Sequence, residues 1–83
     1  MIVTKHAKKR IRERLGLPKR AMLKHLNIVV RQGLWELAKD NHTFQITYNN
    51  FLYLFDYNRE LDPILITTYK LNSLQRHNMS NDI

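Results

Sequence analysis

Residues 43–55 read Thr-Phe-Gln-Ile-Thr-Tyr-Asn-Asn-Phe-Leu-Tyr-Leu-Phe, and the period of this stretch decides the fold class. Phe44, Ile46 and Tyr48 alternate with Thr43, Gln45 and Thr47, the pattern of a strand with one buried face. Asn49-Asn50 is a two-residue linker able to take the positive φ angles of a tight hairpin turn. Phe51 to Phe55 is apolar on both faces, which predicts the central strand of a sheet. Toward the C-terminus, Asn58 to Pro63 is a second turn and Ile64 to Tyr69 a third strand. Residues 73–83 are expected to form a frayed C-terminal tail.

Toward the N-terminus the period changes. Leu34-Trp35-Glu36-Leu37-Ala38, ahead of the polar loop Lys39 to His42, either continues a helix or forms a short strand. Met22, Leu26, Val29 and Val30 recur at helical spacing, with Lys19, Lys24 and Arg31 on the other side, so a helix is expected to end near Gly33. Pro18 suits its first turn. Before it, Thr4 can cap a helix from Lys5 to about Leu15, whose inner stripe is Ala7, Ile11 and Leu15 and whose C-cap is Gly16. The order predicts an α+β domain over residues 1–72, with two N-terminal helices packed on a three- to four-stranded antiparallel sheet.

Length and composition narrow the function classes. The chain has 83 residues and no cysteine, so its core is modest and neither disulfides nor thiolate metal sites can reinforce it. The opening residues hold no apolar run fit for a signal peptide, and no apolar stretch approaches the ~20 residues of a membrane span. A cytoplasmic protein that does not engage membranes is expected.

Charge is the strongest signal. Residues 1–31 carry ten Lys or Arg against Glu13 alone, whereas residues 32–83 carry four against six acids. Segregation of this kind gives a one-sided field suited to a phosphate backbone. The residues expected to bind nucleic acid are Lys5, Lys8, Lys9, Arg10, Arg12, Lys19, Arg20 and Lys24. The plainer alternative is a solvated helix face.

His6, Arg10 and Arg14 fall four residues apart, along one flank of the first helix beside its buried stripe. Guanidinium groups hold phosphate bidentately and histidine can move a proton near neutral pH, so this flank is a candidate phosphodiester site. Alternatively, His6 packs the first helical turn and the arginines are solvated. His25 is assigned to the surface. His42 in a loop and His77 in the tail do not pair at metal-ligand spacing with one another, with His6 or with a carboxylate, so no metal or other cofactor is expected. Phe44, Phe51 and Phe55 are expected in the core, and Trp35 too unless it serves an oligomer contact.

His6 to Leu17, His-Ala-Lys-Lys-Arg-Ile-Arg-Glu-Arg-Leu-Gly-Leu, resembles the opening His-Ala-x-x-Arg-x-x-Glu-Arg-Gly-Ile of small bacterial and phage domains grouped with RelE and ParE toxins, within the barnase–EndoU–colicin–RelE set. The later order of elements is similar over residues 3–71. The resemblance implies two helices on a curved antiparallel sheet, and metal-independent RNA cleavage where the first helix meets the last strand. It places His6, Arg14, Thr68 and Tyr69 at that site, in a bacterial or phage-infected cytoplasm, with an antitoxin or host protein as partner. RelE-type toxins also draw basic residues from their strands; here only Lys70 ends one, and the central strand carries Asp56. The alternative is a non-catalytic phage or mobile-element protein that binds nucleic acid or inhibits a host defence complex. A homodimer is also expected to be accessible, because so small a core gains from an added interface.

Overall fold

A computed structural model describes residues 1–40, 42–57 and 62–71. The elements run β1 (Ile2–Val3), α1 (Lys5–Leu15), α2 (Lys19–Gln32), β2 (Leu34–Leu37), β3 (Thr43–Tyr48), β4 (Phe51–Tyr57) and β5 (Pro63–Lys70). They form one sheet in the order β1-β5-β4-β3-β2. The class is α+β as the sequence implies, but the sheet is larger and mixed. It has five strands, and β1 runs parallel to β5 through the pairs Ile2↔Ile64 and Val3↔Leu65. Two residues are too few to show an alternation, which is why β1 escapes a pattern reading. The tail at 73–83 and turn residues 58–61 lie outside the described residues. Among the described residues no helix is long and apolar enough to cross a membrane.

Local chemistry fixes both helices. The Thr4 hydroxyl accepts the Ala7 N–H at 3.1 Å and so satisfies one free donor of the first turn of α1. Gly16 ends that helix at φ 68°, a left-handed conformation costly for any residue with a Cβ. Pro18, at φ −70° and ψ 157°, stands just before α2 rather than inside it. Gly33 follows α2 with an ordinary negative φ, so it is needed for another reason. A Cβ there would run into Cγ2 of Ile46 and come within 2.7 Å of the Val29 carbonyl. The chain leaves the helix in close contact with β3, and Leu34–Leu37 resolves as an edge strand.

Asn49 and Asn50 both adopt positive φ, 48° and 69°, as a two-residue hairpin requires. β4 lies between β3 and β5, the central position expected from its two apolar faces. Its ladder with β5 shifts between Leu54 and Phe55: Leu54 pairs with Thr67 but Phe55 with Leu65, so Ile66 is the extra residue of a bulge. The bulge resets the alternation of β5. Leu65 faces the helices, and the next residue to do so is Thr68 rather than Thr67.

The core is Ala7 and Ile11 of α1 and Met22, Leu26 and Val29 of α2, packed against Phe44, Ile46, Tyr53, Phe55 and Leu65 of the sheet. Phe51 packs at its margin, half-buried. Trp35 lies outside the core of the single chain. It is 45 % exposed, stacks 4.7 Å from Phe44 and donates its indole N–H to the Val30 carbonyl at 2.9 Å. Phe44 stacks in turn on Phe55, so the rings form a ladder across three strands. Leu34 and Leu37 of the same edge strand are also largely exposed.

The two glycines should respond differently to alanine. Gly33→Ala meets packed atoms and is expected to cost about 1–3 kcal/mol. Gly16→Ala has open space around it and only the backbone conformation to oppose it, a cost of about 1 kcal/mol. Urea denaturation of the two variants measures the difference.

Candidate nucleic-acid interface

The orientation of α1 decides which of its cations face outward. Thr4 donates its hydroxyl to the Leu65 carbonyl at 3.1 Å, with the Ile66 carbonyl at 3.4 Å, and its backbone N–H also reaches Leu65. The helix start is thereby tied to the edge of β5. With Ala7 and Ile11 turned inward at zero exposure, Lys5, Lys8, Lys9 and Arg12 are left on the other side, where with Glu13 they line an open groove of ≈ 480 Å³. Glu13 is the one acid there. It pairs with Arg10 at 2.9 Å and loosely with Lys9 at 3.9 Å. Among the described residues, no other Lys or Arg of the first thirty-one forms an ion pair with a carboxylate, and Asp62 pairs with the Met1 ammonium at 3.0 Å. Among the described residues, the cations of this face other than Lys9 and Arg10 are therefore not neutralised by carboxylates.

The remaining basic candidates divide. Lys19 meets Lys8 at a second hollow, of ≈ 270 Å³, whose other side chains are apolar, Met1, Val3, Met22 and Leu23, with the Met1 ammonium paired to Asp62 at 3.0 Å. Arg20 and Lys24 are exposed along α2 and line neither hollow. Arg10 is turned to Glu13 and leaves the groove to its neighbours.

The other flank of α1 faces β5. His6 Nε2 stands 3.4 Å from Thr67 Oγ1, and Arg14 donates from Nη1 to the Thr68 carbonyl at 2.6 Å. Helix and last strand meet here, and the threonine beside His6 is Thr67 rather than Thr68. Thr68 is wholly buried and donates its hydroxyl to the Leu52 carbonyl at 2.9 Å. It pairs with Tyr53 on the helix-covered face, whereas Thr67 pairs with Leu54 on the opposite one. The cause is the bulge at Ile66, which no alternation in the sequence announces. Tyr69 is half-buried opposite Leu52, on the face of Thr67. Arg14 serves at least in part to hold α1 against the strand edge.

Two other histidines sit in defined settings. His25, assigned to the surface from sequence, is half-buried, and a 2.8 Å hydrogen bond joins its Nε2 to the Tyr53 hydroxyl. Burial lowers the imidazole pKa and raises that of the phenol. His42 lies between two carboxylates, with Nδ1 3.0 Å from Asp56 and Nε2 3.4 Å from Asp40. The Asp56 hydrogen bond, then the charge of Asp40, raise its pKa. Asp40 itself is held down to about 2, first by the Thr43 backbone N–H and then by that of His42. Among the described residues no three His, Asp or Glu side chains are grouped to hold a metal ion.

Compared with known proteins, the chain matches no family model, no curated protein and no solved structure.

The His42 bridge has a defined pH signature. Its folded-state pKa lies above the ordinary value of about 6.5, so its contribution to stability is complete below that value and is lost as pH rises through the raised one. In an NMR titration His42 is expected to titrate above, and His25 below, the ordinary imidazole. Asp56→Asn should lower the His42 midpoint and leave that of His25 unmoved.

Proposed function

We propose that the chain is an RNA-binding module that grips the phosphate backbone with the outward side of α1 and the start of α2. The observation that carries this reading is the open face of α1 along which Lys5, Lys8, Lys9 and Arg12 gather with a single carboxylate, Glu13. Four cations on one open surface can each neutralise a phosphate and release its counterion, and no base need be read for binding to follow. The preference for RNA over DNA comes from the likeness of His6 to Leu17 to RelE-type domains. An antitoxin or host protein that covers this face would need an acidic surface of its own.

Binding is expected to weaken steeply with salt, with a log–log slope of about 3 at roughly 0.7–0.9 per phosphate. Lys8→Glu, Lys9→Glu and Arg12→Glu together should abolish binding in fluorescence anisotropy while the circular dichroism spectrum stays that of the wild type. Retained affinity would exclude this surface.

A second reading, cleavage, is favoured by one further geometry. His6 Nε2 and Thr67 Oγ1 lie 3.4 Å apart on the flank that also carries Arg10 and Arg14. Metal-independent cleavage needs a base for the 2′-hydroxyl, a proton donor and cations for the developing charge. His6 would take the proton of the 2′-hydroxyl and return it to the departing 5′-oxygen, Thr67 would orient the imidazole or the substrate, and Arg14 would meet the phosphate with the donors its carbonyl bond leaves over. Arg10 would first have to leave Glu13. Incubation with total RNA in excess chelator is expected to give fragments with the wild type and none with His6→Ala. Intact RNA with both would leave the binding module alone.

A further inference from the structure

The hollow beside the groove adds something that phosphate binding does not require. Met22 forms part of its floor at 4 % exposure, Val3 is half-buried, and Leu23 stands 54 % exposed at its edge. Lys8 and Lys19 are its charged side chains, the Met1 ammonium at its border is paired with Asp62 at 3.0 Å, and Lys8 also lines the groove of Lys5, Lys9 and Arg12. One lysine therefore stands at the junction of a cationic track and an apolar notch. A duplex directs phosphates outward and keeps its bases stacked inside, so it would meet the track and leave the notch empty. A single strand presents both chemistries at once: phosphates along the backbone, and bases whose apolar faces can leave the stack.

We propose that this notch receives an unstacked nucleobase, which makes the chain selective for single-stranded RNA; the proposal rests on the phosphate-gripping reading above and specifies the form of its ligand. The backbone runs along Lys5, Lys9 and Arg12. At Lys8 one nucleotide turns inward, its phosphate held between Lys8 and Lys19 and its base laid on Met22, Leu23 and Val3. Methionine suits a site that accepts any base, because its unbranched, polarizable side chain adjusts to the shape it meets. No hydrogen-bonding side chain other than the two lysines lines the notch, so sequence preference is weak and stacking strength alone ranks the bases.

The test compares three probes at low salt by fluorescence anisotropy: a short single-stranded RNA, an abasic ribose-phosphate chain of the same length, and the RNA duplex. The wild type should bind the single strand about tenfold more tightly than the abasic chain. Leu23→Ser should remove most of that advantage without changing the affinity for the abasic chain or the salt slope, and Leu23→Phe should keep or enlarge it. Leu23 is exposed, so neither change threatens the core. Equal affinity for the single strand and the abasic chain, or indifference to both Leu23 variants, would overturn the base-binding notch and leave the phosphate track standing. A preference for the duplex would do the same. If none of the three probes binds even in dilute buffer, the phosphate-gripping reading itself fails.

Discussion

The seat of Thr4 on the edge of β5 is the constraint on which the rest depends. One hydroxyl accepts from the Ala7 N–H, caps α1, and donates to the carbonyls where β1 ceases to cover β5. An open strand edge is a hazard that proteins cover with a helix or a loop. Here α1 does so, with Thr4 at one end and Arg14, on the Thr68 carbonyl, near the other. These two anchors set the rotation of the helix about its axis. That rotation sends Ala7 and Ile11 inward and gathers Lys5, Lys8, Lys9 and Arg12 on a common side.

Most of this is visible in the sequence because it is local. The Thr4 cap, the left-handed Gly16, the Asn49-Asn50 turn and the two periodicities each depend on a few neighbouring residues, and each is where the pattern puts it. What the pattern misses is long-range. β1 exists only because Ile2 and Val3 find Ile64 and Leu65 more than sixty residues away. The bulge at Ile66 depends on how β4 and β5 fit together, and it exchanges Thr68 for Thr67 beside His6. Trp35 has an aromatic partner and reaches the end of α2 through its indole N–H, but it stands on the edge strand β2 and stays 45 % exposed. His25 is drawn inward by Tyr53, whose hydroxyl needs a hydrogen-bond partner at that depth.

The two flanks of α1 differ in how freely their cations can act. On the groove side, Lys5, Lys8 and Arg12 have no carboxylate partner among the described residues, and Lys9 is only loosely held. On the strand side, Arg10 is bound to Glu13 and Arg14 to a carbonyl. A phosphate reaching the second flank must compete with those bonds, whereas one reaching the first displaces only water and counterions. This asymmetry is the physical reason to rank binding ahead of cleavage.

The helix starts are built against their own stability, although Arg12 and Arg14 of α1 and Arg31 of α2 suit the last turns they occupy. Neither has an acidic residue in its first turn, where the helix dipole favours one, and each opens instead with lysine or arginine. Lys5 and Lys9, Lys8 and Arg12, and Arg10 and Arg14 are like-charged at four-residue spacing, each pair costing a few tenths of a kcal/mol. Only Glu13 relieves them. Folding alone would favour acids at several of these positions, since the capping threonine and the apolar stripe require only Thr4, Ala7 and Ile11. The same arrangement adds the positive helix ends to the side-chain charges and so raises the potential at the groove. Local rules broken together, in one place and with one sign, are what a surface shaped for an anionic partner is expected to contain.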